Sequence, residues 1–144
     1  MTKPSPDETW QILEALSALA RELTRASGGP DDGPPMTSTQ RLTLFEVAVR
    51  GPMRLSELAD RMRITAPTAS RAVDALVDHG LVERRPDPDD RRAVRIDLTR
   101  PGRREVEERR ARAAAALEPI VGTLSAKDRA QLAELLKRLT DSLG

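Results

Sequence analysis

Gly80-Leu81-Val82-Glu83-Arg84-Arg85-Pro86-Asp87-Pro88-Asp89-Asp90-Arg91-Arg92-Ala93-Val94-Arg95-Ile96-Asp97-Leu98-Thr99 is the stretch whose reading decides the fold. Leu81 to Arg85 reads as a short strand, and Pro86 to Asp90, with two prolines and three aspartates, reads as a turn. Ala93 to Leu98 alternates apolar and polar residues, the pattern of a strand with one buried face. The two strands predict a hairpin with a charged tip. Gly80 stands where a helix ends on a left-handed residue, which places a helix immediately before the hairpin.

That helix is expected over Ala66–His79, with Ala69, Val73, Leu76 and Val77 inward and Pro67 in the first turn, where its missing N–H costs nothing. A short helix, Glu57–Met62, precedes it, with Ser56 as the expected N-cap. The intervening Arg63-Ile64-Thr65 is the three-residue turn of a helix-turn-helix. Further upstream a helix is expected near Ser38–Val49, with Leu42, Phe45, Val47 and Ala48 inward and Gly51-Pro52 as its stop.

At the chain ends, Trp10, Leu13, Leu16, Leu19, Ala20 and Leu23 form one helical face between about Asp7 and Ala26. Gly28, Gly29, Pro30, Gly33, Pro34 and Pro35 make a connector that cannot remain helical. After the hairpin, Thr99 caps a helix running to about Val121, which Pro119 is expected to bend or interrupt. Ser125 and Asp128 then open a last helix, Ala126–Leu143, with a stripe of Leu132, Leu135, Leu136, Leu139 and Leu143.

The chain has 144 residues, 33% of them charged and 38% hydrophobic, which suits one soluble domain. Cysteine is absent, so disulfides, thiolate chemistry and cysteine metal sites are excluded. No apolar run approaches the roughly 18–20 residues of a membrane span, and polar Met1–Trp10 is unlike a signal peptide; a cytoplasmic protein is expected. Net charge is only +1, but its distribution is uneven. Met1–Pro35 carries three basic and six acidic residues, whereas Arg54–Arg104 carries twelve arginines against nine acids. The basic surplus is modest, so the positions of the arginines carry the argument.

In a helix-turn-helix the second helix enters the major groove of DNA, and its N-terminal residues meet base edges. Here those are Thr65, Ala66, Pro67, Thr68, Ser70 and Arg71: small side chains, hydroxyls, and an arginine able to reach guanine or phosphate. Arg91, Arg92 and Arg95 lie at or beside the hairpin tip, where an arginine can enter a narrow minor groove. The acids Asp87, Asp89, Asp90 and Asp97 cut against a simple basic finger, and at least one of them is expected to pair with an arginine and fix its aim. The chain has no Gly-rich phosphate loop with lysine and no metal-binding histidine pair; its lone histidine, His79, falls at a helix end. No enzymatic activity and no cofactor or metal are expected. The competing reading is a winged helix that contacts protein and not DNA.

Taken together, Leu58-Ala59, Pro67-Thr68-Ala69-Ser70-Arg71, Gly80-Leu81-Val82-Glu83-Arg84 and the run Asp90-x-Arg92-x5-Leu98-Thr99, continuing to Gly102, resemble the MarR-type transcription regulators. The resemblance is strongest over Leu55–Gly102. It implies a recognition helix starting at Thr65, Arg92 as the minor-groove residue with Asp90 as its partner, and Arg84 near the phosphate backbone. It also implies a homodimer, repression of a pseudo-palindromic operator, and release by a small aromatic or anionic effector. The leucine stripes agree with pairing of two copies. The expected fold class is thus mainly α with a small two-stranded β wing: a winged helix-turn-helix (54–99) with flanking dimerisation helices (1–53 and 100–144).

Overall fold

Residues 2–27 and 34–142 are described by a computed structural model. The elements run α1 (Pro6–Ser27), α2 (Ser38–Arg50), β1 (Met53–Arg54), α3 (Leu55–Met62), α4 (Ala66–Asp78), β2 (Val82–Pro86), β3 (Val94–Leu98), α5 (Arg100–Val121) and α6 (Ala126–Asp141). Most of the connector, residues 28–33, and Leu143 lie outside the described residues.

The sheet has three strands, not the two expected, in the order β1-β3-β2 with both pairings antiparallel. The extra strand is only Met53-Arg54, too short to leave any periodicity in the sequence. Gly51, at φ +82°, turns the chain out of α2 so that Met53 pairs with Ile96 and Arg54 with Arg95. This third strand also moves the start of α3. Arg54 is held extended by the sheet, so the helix begins directly after it, at Leu55, with no side-chain cap. Ser56 lies inside the first turn and is not the N-cap.

Local capping opens other helices, at Thr99 and Ser125 as expected and at Thr37 with no earlier expectation. Thr37 and Gln40 form a reciprocal capping box at α2. Thr99 Oγ1 accepts from Gly102 N at 3.0 Å at the head of α5. Ser125 Oγ accepts from Asp128 N at 3.1 Å at the head of α6. Pro119 does not interrupt α5, which ends two residues later at Val121; so near the C-terminus little helix remains for the missing N–H to disrupt.

The chain divides into two compact units, Pro30–Arg110 and Met1–Gly29 with Ala111–Gly144. The first holds the core: Leu44 and Val47 of α2, Met53 of β1, Leu58 of α3, Val73 and Leu76 of α4, Leu81, Val82, Ile96 and Leu98 of the wing, and Val106 of α5. Each such side chain contributes roughly 1.5–3 kcal/mol by leaving water. On α2 the buried face is Thr43, Leu44 and Val47, with Phe45 and Ala48 half-buried; Leu42, expected inward, is exposed. The α4 surface against the core thus fixes which of its faces is left outward. In the second unit none of the described residues is fully buried.

Candidate nucleic-acid interface

The turn between α3 and α4 is a helix stop of the left-handed kind. Arg63 adopts φ +53°, Arg63 N donates to Asp60 O, and Ile64 N to Ala59 O at 3.0 Å, so two free carbonyls of α3 are satisfied. Thr65 then caps α4: its Oγ1 accepts from Thr68 N at 3.4 Å and shares a hydrogen with Thr68 Oγ1 at 2.9 Å. Arg71 Nη2 donates to Thr68 Oγ1 at 3.4 Å. Thr65, Thr68 and Arg71 are therefore one linked polar group on the first two turns of α4. Ala66 and Pro67 are exposed beside them and Ser70 is half-buried. The face is small, polar and cationic, as a helix that enters the major groove needs.

α4 ends in a Schellman motif, with Gly80 at φ +71° and Leu81 N donating to Leu76 O at 2.9 Å. The chain passes directly into β2. There Arg84 reaches back to pair with Asp74 of α4, tying the wing to that helix. Val82, Ile96 and Leu98 are buried, while the opposite face of the sheet carries Glu83, Arg85, Arg95, Asp97 and Arg54.

The wing's charges sort into two groups. Asp87 has a fully buried side chain and three donors: Arg54 Nε at 2.7 Å, Arg95 Nε at 3.1 Å and Asp89 N at 2.9 Å. These bonds, the Asp89 amide first and Arg54 next, hold its carboxyl down at about 2. Arg95 also faces Asp89 at 3.3 Å, and Arg85 pairs with Glu83 and lies 3.7 Å from Asp97. Arg54, Arg85 and Arg95 are thus neutralised where they stand. Arg91 and Arg92 are different. Both are exposed at the tip, and their guanidiniums have no hydrogen bond or ion pair among the described residues. Asp90 shapes the turn that presents them, accepting from the backbone N–H of Arg92 at 3.0 Å and lying 3.9 Å from Arg54.

The sequence placed Arg95 with Arg91 and Arg92 at the wing tip, and it offered no reason to single out Asp87 among the four acids or to pair it with Arg54. An acid does pair with arginines of the wing, Asp87 with Arg54 and Arg95, whereas Asp90 meets Arg92 only at its backbone N–H. The signal for Arg54 lies in strand pairing over forty residues, which no local pattern carries. Among the described residues no cluster of His, Cys, Asp or Glu could hold a metal ion, and no helix is long and apolar enough to cross a membrane.

Residues 36–94, from the approach to α2 to the first residue of β3, match the MarR family model. The HTH-type transcriptional repressor NicR of Pseudomonas putida is 32% identical over 136 residues, covering 94% of this chain and 86% of that protein. This chain belongs to the MarR family. The crystal structure of RV1404 from Mycobacterium tuberculosis superposes over 100% of this chain and 98% of that one, with a TM-score of 0.79 at 27% identity. A MarR family protein from Bacillus stearothermophilus has the same fold, with a TM-score of 0.82 over 98% of this chain and 99% of that one at 22% identity. As a MarR-family member the chain is a DNA-binding transcriptional regulator and not an enzyme.

Proposed function

We propose that this chain is a homodimeric repressor that grips a pseudo-palindromic operator with the first turns of α4 and the tips of two wings. Thr65, Ala66, Pro67, Thr68, Ser70 and Arg71 read base edges in the major groove. Arg91 and Arg92 enter the flanking minor groove on a turn shaped by Asp90, and Arg84 lies along the phosphates, exchanging Asp74 for DNA. The observation that carries the reading is the sorting of the wing's charge: every arginine in its strands has a carboxylate, and the two at its tip have none. Arg95 belongs to the first group, so its part is to hold the wing.

Residues 54–99 carry the DNA contacts, and the terminal helices within 1–53 and 100–144 carry the dimer contact. Support for the dimer is the apolar surface left on α1 and α6, where Trp10 is 67% and Leu139 54% exposed. Two-fold symmetry would set the recognition helices about 34–36 Å apart, one turn of B-DNA. The repressor's name borne by the relative in Pseudomonas putida supports repression. Access to the chromosome places such a regulator in the cytoplasm. A small aromatic or anionic effector rests on family likeness alone, and phenolic compounds added to the assay below test it.

The decisive assay is a gel shift with the protein's own upstream DNA across salt concentrations. Affinity should fall steeply with salt, each neutralised phosphate adding about 0.9 to the logarithmic slope. Arg71→Ala and Arg92→Ala should each weaken binding by about tenfold or more with little change in melting temperature. A flat salt response overturns the reading.

A further inference from the structure

Arg54, Arg95 and Arg85 are direct cross-strand partners, so the middle of the wing sheet carries three cations in a row on one face. Like charges directly opposite destabilise a sheet. The row persists because anions are set against it. Arg85 has Glu83 and Asp97. Arg54 and Arg95 share a single oxygen, Asp87 Oδ2, at 2.7 and 3.1 Å. The other oxygen, Oδ1, takes the Asp89 amide, and Asp87 N donates to Ala93 O at 3.0 Å, closing the base of the loop that carries Arg91 and Arg92. One buried carboxylate therefore joins three separate pieces of chain: β1, which lies before the helix-turn-helix in sequence, the loop after β2, and the central strand β3.

We propose that Arg54, Asp87 and Arg95 form a clasp that positions the wing tip for DNA, with Arg54 acting through Arg91 and Arg92 and not by touching DNA itself. The proposal rests on the DNA-contact reading above. Its physical basis is reach: a two-stranded ribbon twists and bends freely, and an arginine can contribute to binding only if its tip is held where the groove passes. β1 adds a third strand at the base, and the clasp pins it to the loop on the far side of β3. The bonds that do this use the Nε of each arginine with a carboxylate that is wholly out of water, a geometry that lysine cannot reproduce.

The test is a double-mutant cycle with a duplex recovered by selection from a random library. Arg54→Met is combined with Arg91→Ala/Arg92→Ala, and affinities are measured by fluorescence anisotropy. A positioning role predicts about a tenfold loss for Arg54→Met in the otherwise native chain and less than about twofold in the Arg91→Ala/Arg92→Ala background, because coupled residues are non-additive. Equal losses in both backgrounds, as a direct phosphate contact or general damage would give, overturn the clasp; so does no loss in the native background. If Arg54→Met does not fold, Arg54→Lys replaces it in the same cycle, keeping the charge and removing the Nε donor, with the same outcomes. Should Arg91→Ala/Arg92→Ala alone leave affinity unchanged, the wing-tip reading itself falls; if that variant weakens binding and Arg54→Met does not, only the clasp falls.

Discussion

Gly102 shows how much one hydrogen atom decides. It sits in the first turn of α5, and a Cβ built there would lie 1.9 Å from the carbonyl oxygen of Leu81. That oxygen is backbone, already accepts from Thr99 N at 3.1 Å, and belongs to a residue only 4% exposed. It cannot swing aside, so the helix would have to lift from the strand. Helix propensity argues the other way, since alanine is favoured over glycine by about 1 kcal/mol within a helix. Overpacking should win: Gly102→Ala is expected to destabilise the chain by about 2–3 kcal/mol, read as a lower urea midpoint at unchanged slope, and a higher midpoint would refute the close approach. The sequence held Gly102 only as part of a familiar motif, because its reason lies with a residue twenty-one positions earlier. Ser125, by contrast, was legible as a cap, since its partner Asp128 is three residues away. The same distance separates what could be read of the wing arginines from what could not: Arg91 and Arg92 stand out in the sequence, whereas Arg54 finds Asp87 only through the folded sheet.

Among the elements, the wing hairpin was the most legible, because alternation over Ala93–Leu98 and a turn rich in proline and aspartate are local patterns. Two-residue β1 was not, and with it went the start of α3. On α2 the inward face was misplaced at Leu42, since Leu42 and Leu44 both fit an amphipathic helix until α4 and the wing pack against one side. The hub of the wing gives this element its own pH response. Asp87 is held down at about 2 in the folded chain, below the ordinary 3.8. Its ionised form therefore stabilises the wing fully above about pH 4, and that contribution is lost as pH falls toward about 2 and the unfolded chain takes up the proton first. Asp87→Asn, neutral throughout, should be less stable than the native chain at about pH 6, and the gap should close as pH approaches 2. Comparing the two variants cancels other carboxylates, such as Glu8, whose carboxyl is lowered by hydrogen bonds from Ser5. A gap that stays constant over this range would mean that the charge on Asp87 does not hold the wing.

For the whole molecule, the two units differ in what stabilises them. Pro30–Arg110 encloses a core, whereas α1 and α6 leave Trp10, Leu13, Leu16, Leu132, Leu135, Leu136 and Leu139 exposed. The leucine stripes were visible in the sequence as helical periodicity, but periodicity cannot say whether a stripe meets its own chain or another. With Leu135 45% and Leu139 54% exposed, a second copy is the occupant that the proposed two-fold operator asks for. A charge on this stripe should then separate assembly from folding. Leu135→Glu is expected to shift the sedimenting species from two chains to one at micromolar concentration, because a carboxylate would be driven into an apolar contact. The core of Pro30–Arg110 lacks Leu135, so its cooperative melting should survive. DNA binding should fall in a particular way. Linking two recognition helices raises the effective concentration of the second half-site by 10²-fold or more, by general estimates of bivalent binding of about 10²–10⁴; the variant should lose that factor on the full operator and keep the native affinity for an isolated half-site. A variant that still sediments as two chains, or that weakens full and half sites equally, would place the dimer contact elsewhere than on α6.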